Sequence, residues 1–360
     1  AEEILRINPD TTISGLGGPA MKDKGVDIFY DLTQIAVVGF VEVLKHYTLF
    51  KRIMDDFVQK AAQEKPDAVI LVDYPGFNLI LAKKLKALGI KVIYYISPQV
   101  WAWKEKRVTK IKQTVDLMLV IFQFEKNFYQ RHGIDAEFVG HPLTDSIVVT
   151  QNRIEFLKNL GLAVDKFTVA LLPGSREKEI ERHLPVMCAA MNVLHKDFSK
   201  VQVLIVKAPS ISEETITNYS NTLNVPFKIV DKNAYNAINA ADFCIVSSGT
   251  ATLETALLQK PMVIIYKTSF LTWLIAKTFV KISDIGLVNV VAGKRIVPEC
   301  VQFQATGINI AAEAKNILTD ETKIAAIKNE LKILKNSLGE SGASQKAAQA
   351  INSFLKSTSN

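Results

Sequence analysis

Cysteine and histidine are scarce in this 360-residue chain, which has three cysteines and five histidines. The cysteines, Cys188, Cys244 and Cys300, lie far apart in the sequence. They indicate neither a disulfide framework nor a zinc site, and they fit a reducing compartment. The histidines show no ligand spacing either. We therefore expect neither a metal site nor a cofactor.

Long apolar runs are also missing, because no uncharged stretch approaches the roughly 20 residues of a membrane-spanning helix. Residues are 48% hydrophobic and 22% charged, which is typical of soluble globular proteins with sizeable cores. The length suffices for about two domains. Acidic residues are outnumbered, and the net charge of +7 favours anionic partners such as phosphorylated substrates, nucleic acid or an acidic membrane surface.

Short apolar runs alternate with helical segments along the whole chain. Runs such as DAVILVDY and FTVALL are nearly continuous, as in parallel strands that helices cover on both faces. We predict an α/β fold with two doubly wound, Rossmann-like domains and a cleft between them. The predicted domains are residues 1–145 and 146–335. Residues 336–360 form a C-terminal helix, and its packing back on the first domain is left open.

The motif LLPGSR joins a predicted strand to a predicted helix through Gly174, Ser175 and Arg176. Such a turn aims backbone N–H groups and the positive end of the helix dipole at one point. Arginine adds a forked donor suited to phosphate oxygens. An ordinary loop with a surface arginine is the alternative interpretation.

The motif SSGTATLE has the same form and opens a helix at Gly249 and Thr250. Glu254 lies one turn further on, where its carboxylate can accept hydrogen bonds from ribose hydroxyls. A helix start with a favourable acidic first turn is the alternative. Two such turns in one domain favour a nucleotide with a diphosphate and a ribose.

Asp73, in the motif VDYPGFN, follows a predicted strand at the edge where ligands bind in this architecture. A carboxylate there can act as a general base, or it can simply cap the following helix. His141, in VGHPL, also follows a strand, and it either lines the site or bonds to the backbone.

Aromatic and basic residues are concentrated in the segment SPQVWAWKEKRVTKIK, which contains Trp101 and Trp103. Its cations can face phosphates of lipid headgroups or nucleic acid, or form a solvated helix face. Two further segments combine apolar and basic residues, as interfacial helices do, with a buried core helix as the alternative. Their candidate lipid contacts are Phe40 and Leu44 in the first segment, and Leu271, Trp273, Ile275 and Phe279 in the second.

Taken together, the motifs resemble those of the lipid-A-disaccharide synthase family of inverting glycosyltransferases, which have the GT-B fold. The resemblance runs in order through nearly the whole chain. It is carried by GLGGPAM, AVVGFVEVL, VDYPGFN, YYISPQVWAWKEKRVTKI, VGHPL, LLPGSR, SSGTATLE and LVNVVAGKRIVPE. SPQVWAW followed by KRVTKI is highly specific to this family.

The resemblance implies transfer of 2,3-diacylglucosamine from UDP-2,3-diacylglucosamine to 2,3-diacylglucosamine 1-phosphate. The implied products are a β-1,6-linked disaccharide 1-phosphate and UDP, formed without a metal. It further implies that Asp73 is the base, that residues 174–176 and 249–250 hold the diphosphate, that Glu254 holds the ribose and that Asn289 contacts substrate. Because both substrates are acylated anions, we expect a peripheral protein at an anionic membrane, on the cytoplasmic face of the inner membrane. No nucleic-acid partner is expected, and a homodimer is left open.

One departure from the family pattern lies at the start, where the family has a strand and a Ser-Gly-Asp segment before its first helix. The sequence given leads us to expect a chain that begins after that point. Alternatives are a UDP-N-acetylglucosamine 2-epimerase, another GT-B enzyme acting on UDP-sugars, such as the lipid-linked peptidoglycan N-acetylglucosaminyltransferase, or an inactive, truncated lipid-binding form.

Overall fold

A computed structural model of the chain describes residues 1–32, 47–103, 107–269, 273 and 284–358, without the side chains of Tyr47, Ala102 and Trp103. The chain divides into two compact units. The first unit is Ala1–Asp145 together with Leu338–Asn360, and the second is Ser146–Ser337.

The strands, in chain order, are β1 (Ser14–Gly17), β2 (Asp27–Asp31), β3 (Val69–Val72), β4 (Val92–Tyr95), β5 (Leu117–Val120), β6 (Ala136–Phe138), β7 (Phe167–Leu172), β8 (Val201–Val206), β9 (Phe227–Val230), β10 (Phe243–Ser247), β11 (Met262–Tyr266) and β12 (Glu299–Val301). The described helices up to the unit boundary are α1 (Glu2–Ile7), α2 (Pro19–Lys22), α3 (Tyr47–Glu64), α4 (Pro75–Ala87), α5 (Val100–Trp103), α6 (Val108–Thr114), α7 (Gln123–Arg131) and α8 (Leu143–Ser146). Those that follow are α9 (Arg153–Asn159), α10 (Glu177–Asp197), α11 (Glu213–Ser220), α12 (Ala234–Ala240), α13 (Thr250–Leu257), α14 (Leu287–Ala292), α15 (Gly307–Leu318), α16 (Glu321–Ser337) and α17 (Ala343–Thr358).

The first unit contains a four-stranded parallel sheet in the sequential order β3-β4-β5-β6, and a separate parallel pair, β1 and β2. Successive side chains of a strand point to opposite faces of its sheet. Accordingly, Val92 and Tyr94 of β4 pack with helices α4, α6 and α7, whereas Ile93 packs on the other face against Ala347 and Ile351 of α17. The C-terminal helix therefore completes the core of the first unit.

The second unit contains a six-stranded parallel sheet in the order β12-β11-β10-β7-β8-β9. Read from β9, this is the strand order of the doubly wound nucleotide-binding fold, in which the order of the strands reverses between β7 and β10. Ligands of such sheets bind at that reversal, outside the carboxyl ends of the strands. The glycine turns after β7 and β10 therefore lie on the two sides of the expected ligand position.

Two helix starts of the second unit are confirmed where the sequence predicted them, after Arg176 and Gly249. A third helix, α11, begins after Ser212, whose Oγ accepts a hydrogen bond from the N–H of Thr215 at 3.0 Å. Of the two segments with candidate lipid contacts, the first has Phe40 and Leu44 before α3, outside the described residues. The second is described only at residue 273.

Candidate functional site

Asp73 lies at the carboxyl end of β3, in the turn that leads into α4. Asp73 and Tyr74 both have left-handed backbone conformations, with φ values of 47° and 42°. Two consecutive non-glycine residues in this region store strain, which is a frequent feature of functional turns. The Asp73 side chain is exposed, and within the described part of the chain it has no hydrogen-bond or ion-pair partner. Helix α4 is capped by Tyr74 without a side-chain hydrogen bond, so Asp73 does not act as its cap.

The strained turn is held through its backbone. The carbonyl of Asp73 accepts hydrogen bonds from Nδ2 of Asn78 at 2.8 Å and from the hydroxyl of Tyr94 at 2.5 Å. Asn78 also donates to the carbonyl of Val72 at 3.1 Å. Burial and the nearby Asp73 charge raise the pKa of Tyr94, so this hydroxyl remains a donor. These bonds fix the peptide of Asp73 and leave its carboxylate free.

Glu125 anchors the next two turns along the same edge. Its side chain is 1% exposed, and its carboxylate accepts hydrogen bonds from Ser97 Oγ at 2.8 Å and from the Trp101 indole Nε1 at 3.1 Å. The backbone N–H groups of Ile121 and Phe122, which follow β5, donate to the other oxygen. Burial raises the pKa of this carboxyl. Trp101 is therefore a partly buried anchor of the core, and lipid contact by its ring stays a prediction.

His141 lies beyond the end of β6 and is 8% exposed. Its Nδ1 accepts a hydrogen bond from the N–H of Leu143 at 3.1 Å, which places the ring proton on Nε2. Burial lowers the pKa of this imidazole to about 4. It is therefore a neutral ring at physiological pH, fixed by the backbone that follows it.

In the second unit, the turn after β7 contains Gly174, which has a φ of 124°. A Cβ at this position would lie 2.7 Å from the Cβ of Glu179, so the turn requires glycine for space as well as conformation. Ser210 fixes the turn from outside, because its hydroxyl donates to the carbonyl of Ser175 at 2.7 Å. Gly174, Ser175 and Arg176 thus form a tight strand-to-helix turn, as their sequence predicted.

Glu179 occupies the position expected for an anion at this turn. Its Oε2 accepts a hydrogen bond from the N–H of Ser175 at 2.9 Å, and its Oε1 pairs with Nη1 of Arg176 at 3.1 Å. The Arg176 side chain is 59% exposed, and exposed pairs of this kind contribute little free energy. A stronger anion can therefore displace the carboxylate from both donors.

The turn after β10 places Gly249, with a φ of 154°, immediately before α13, whose first residue is Thr250. Thr250 is exposed at the start of this helix. Glu254 lies one turn further and is half-buried, and the hydroxyl of Tyr235 lies 3.4 Å from its Oε1. Burial raises the pKa of the Glu254 carboxyl. Because β7 and β10 are neighbours, the sheet brings both glycine turns to one place.

Asn289, the predicted substrate contact, is a buried residue of α14. Its side chain is 1% exposed, and its amide bonds only to protein atoms: Nδ2 donates to the carbonyl of Val297 and to Glu299, and Oδ1 accepts from the N–H groups of Ile296 and Val297. Glu299 in turn accepts the N–H of Gly286 at 2.9 Å. Through these bonds Asn289 supports the segment that carries α14, and its contact with substrate stays a prediction.

Among the predicted lipid contacts, Trp273 packs edge-on against Phe303, with ring centroids 5.4 Å apart. Phe303 is 68% exposed, and the sequence reasoning missed it. Phe40, Leu44, Leu271, Ile275, Phe279 and the side chain of Trp103 lie outside the described residues.

Neither a metal cluster nor a spanning helix is found in the part of the chain that the structure describes. No group of three or more His, Cys, Asp or Glu side chains there has the arrangement of a metal site. None of the described helices combines the length and apolarity needed to cross a bilayer.

Three buried polar residues, Glu125, Glu299 and His183 of α10, were also missed by sequence reasoning. One signal was available for Glu125, since a glutamate three residues into a helix that follows a buried strand is typical of capping. His183 and Glu299 carry no comparable signal, because nothing in their neighbourhood distinguishes a buried polar residue from an exposed one.

Known proteins resemble this chain in both sequence and fold. A family model described as Lipid-A-disaccharide synthetase matches residues 2–354. Lipid-A-disaccharide synthase 1 of Legionella pneumophila is 42% identical over 343 residues, which cover 95% of this chain and 89% of that protein.

Among the solved structures that match the fold, two illustrate the likeness. The putative UDP-N-acetylglucosamine 2-epimerase of Listeria monocytogenes matches with a TM-score of 0.60 at 12% identity. The match covers 97% of this chain and 98% of the epimerase chain. The calicheamicin glycosyltransferase CalG4 matches with a TM-score of 0.63 at 12% identity. The match covers 100% of this chain and 94% of the CalG4 chain. The sequence matches thus identify the family and the structures identify the fold: the chain belongs to the lipid-A-disaccharide synthases and is a hexosyltransferase with the GT-B fold.

Proposed function

We propose that this chain transfers 2,3-diacylglucosamine from UDP-2,3-diacylglucosamine to 2,3-diacylglucosamine 1-phosphate. The products are the β-1,6-linked disaccharide 1-phosphate and UDP. The observation that carries the proposal is the match to the lipid-A-disaccharide synthase family along residues 2–354. The chemistry available at the carboxyl edges of the two sheets supports it.

Asp73 is the general base of this proposal. An exposed carboxylate without a partner in the described residues can accept the proton of the acceptor's 6-hydroxyl. The oxygen then attacks the anomeric carbon of the donor while the bond to UDP breaks, so that the configuration at this carbon inverts. The bonds that Asn78 and Tyr94 make to the Asp73 carbonyl support its orientation.

The glycine turns of the second unit hold the UDP diphosphate. The N–H of Ser175 and the guanidinium of Arg176 are available once the phosphate displaces Glu179. Gly249 and Thr250 face the diphosphate at the start of α13, and Glu254 accepts hydrogen bonds from the ribose. Arg176 and the helix dipoles offset the charge that develops on the leaving UDP, so the reaction proceeds without a metal ion.

Both substrates carry acyl chains, and the enzyme therefore works at the surface of the inner membrane, on its cytoplasmic face. The exposed ring of Phe303 beside Trp273 supports an apolar contact with lipid, and the exposed side chain of Ile308 lies a few residues further along the chain. Exposed lysines of α6, Lys110 and Lys112, add attraction to anionic headgroups.

A transfer assay tests this proposal. The purified protein is mixed with both acylated substrates in detergent, with and without EDTA, and the products are identified by mass spectrometry and linkage analysis. We expect the β-1,6 disaccharide 1-phosphate and equimolar UDP, at equal rates with and without EDTA. Absence of the disaccharide, together with conversion of soluble UDP-N-acetylglucosamine without an acceptor, would contradict the proposal in favour of an epimerase.

A further inference from the structure

His183 is a fully buried histidine of α10 that the proposed reaction does not use. Its exposure is 0%, and both of its ring nitrogens have partners. Nδ1 lies 3.0 Å from the carbonyl oxygen of Pro173 and 3.0 Å from Oγ of Ser247. Nε2 lies 3.0 Å from the backbone nitrogen of Lys267 and 3.1 Å from its carbonyl oxygen. One imidazole therefore contacts three separate segments of the chain.

These segments are the carboxyl ends of three neighbouring strands. Pro173 follows β7, Ser247 ends β10 and Lys267 follows β11. Strand β10 pairs with both β7 and β11, and the strand order of the sheet reverses between β7 and β10. The glycine turns follow these contacts directly: Gly174 comes next after Pro173, and Gly249 lies two residues after Ser247.

The hydrogen bonds define how the ring is protonated. Burial lowers the pKa of His183, so the ring is neutral at physiological pH. The N–H of Lys267 needs an acceptor, which we assign to Nε2. The proton then lies on Nδ1 and is donated to the carbonyl of Pro173, with Oγ of Ser247 within reach of the same N–H. A neutral histidine suits this position because it joins an acceptor on one strand to a donor on another.

We propose that His183 is a positioning residue for the nucleotide: it fastens the ends of β7, β10 and β11 together and thereby sets the two glycine turns in one arrangement around the diphosphate. This inference rests on the proposed function, in which both turns bind the same diphosphate. Donors on separate segments bind one anion well only when they are held in place beforehand, and small displacements are costly.

Three substitutions test the inference. His183→Leu removes every hydrogen bond at similar volume. His183→Asn retains an amide N–H near the position of Nδ1, within reach of Pro173 and Ser247. His183→Gln instead retains an acceptor near the position of Nε2, within reach of Lys267. The control is His195→Leu, on the same helix, since no described residue bonds to its buried Nδ1.

UDP affinity is measured by titration calorimetry below the unfolding midpoint of each variant, and KM is measured for both substrates. We expect His183→Leu to weaken UDP binding by about tenfold and to raise the donor KM with little change in the acceptor KM. His183→Asn should stay within about threefold of the parent protein and bind UDP more tightly than His183→Gln. The control should bind as the parent does.

The inference is overturned if His183→Leu binds UDP as tightly as the parent, or if both KM values change together, as in a general loss of structure. Should His183→Leu fail to fold, equal UDP affinity of His183→Asn and His183→Gln overturns it instead. Failure of the proposed function is recognised separately, because the parent protein itself would then bind no UDP or form no disaccharide.

Discussion

The carboxyl edges of the two sheets carry opposite chemistry, although parallel strands and crossover helices form both. In the first unit this edge presents a carboxylate, Asp73, on a turn of non-glycine residues in left-handed conformations. In the second unit it presents backbone N–H groups and Arg176 on turns that contain glycine. The topology places a turn at the end of each strand, and the residues of that turn decide whether it presents a carboxylate or N–H donors.

The buried polar residues beneath these edges differ in a matching way. Glu125 can only accept hydrogen bonds when ionised, and it collects N–H and O–H donors from the turns after β4 and β5. His183 is neutral and joins a carbonyl on one strand to an N–H on another. A carboxylate can therefore gather donors around one point, whereas a neutral imidazole can link strand ends of unlike polarity.

The largest effect is expected in the first unit, from Asp73→Asn. The substitution retains the shape of the side chain but removes the proton acceptor, so the rate of disaccharide formation should fall about 1,000-fold. The control is Asp67→Asn, at the exposed opposite end of β3, which should leave the rate unchanged. An Asp73→Asn rate within tenfold of the parent would show that another group is the base.

Gly174→Ala changes the turn after β7, at the carboxyl edge of the second unit's sheet. The new Cβ would meet the side chain of Glu179, and the φ of 124° is unfavourable for alanine, so the turn must change shape. UDP affinity, measured by calorimetry, should fall about tenfold and stability by about 1–2 kcal/mol. Gly76→Ala is the matched control, because open space surrounds Gly76 in the first turn of α4. If Gly174→Ala bound UDP as tightly as the parent, this turn would not be part of the nucleotide-binding site.

His141 makes the stability of the first unit depend on pH. The pKa of the His141 imidazole is about 6.5 in the unfolded chain and about 4 in the folded chain. The free energy of unfolding is therefore highest above pH 6.5 and decreases as the pH falls towards 4, because the unfolded chain then binds a proton that the folded chain does not. Between pH 7 and pH 5 the loss amounts to about 2 kcal/mol.

His141→Asn keeps an acceptor for the N–H of Leu143 but cannot be protonated, and it should remove this part of the pH dependence. Denaturant unfolding at pH 7 and pH 5 measures the difference. Equal losses in the parent and the variant would contradict the assignment of a neutral ring to His141.

The smallest effect concerns Glu179, the carboxylate that the proposed diphosphate displaces. Glu179→Gln removes the competing negative charge, so UDP should bind about threefold more tightly. Glu181→Gln, an exposed glutamate of the same helix, is the control and should have no effect. Weaker UDP binding by Glu179→Gln would mean that the carboxylate is needed to hold the turn.

The sequence was sufficient to predict the strands whose apolar runs are nearly continuous, together with the turns at their carboxyl ends. It did not reveal β2, whose five residues, DIFYD, have an aspartate at each end and are exposed or only half-buried. Nor did it reveal β12, because three residues give no periodicity.

Burial of polar side chains was the part of the site that could not be predicted. Asn289 looked like a substrate contact, yet its amide is enclosed by the segment that it supports. His183 looked like one more polar residue of a charged helix, and only the sheet order shows that three strand ends meet at its ring. Contacts between segments distant in sequence decide whether a polar side chain is buried, and local sequence patterns do not reveal such contacts.

The division of roles between the two units is tested by the UDP affinities of Asp73→Asn and Arg176→Ala, measured side by side by calorimetry. We propose proton transfer by the first unit and diphosphate binding by the second. Asp73→Asn should therefore bind UDP as the parent does, while Arg176→Ala should bind it about tenfold more weakly. Equal losses in both variants, or unchanged binding by Arg176→Ala, would contradict this division of roles.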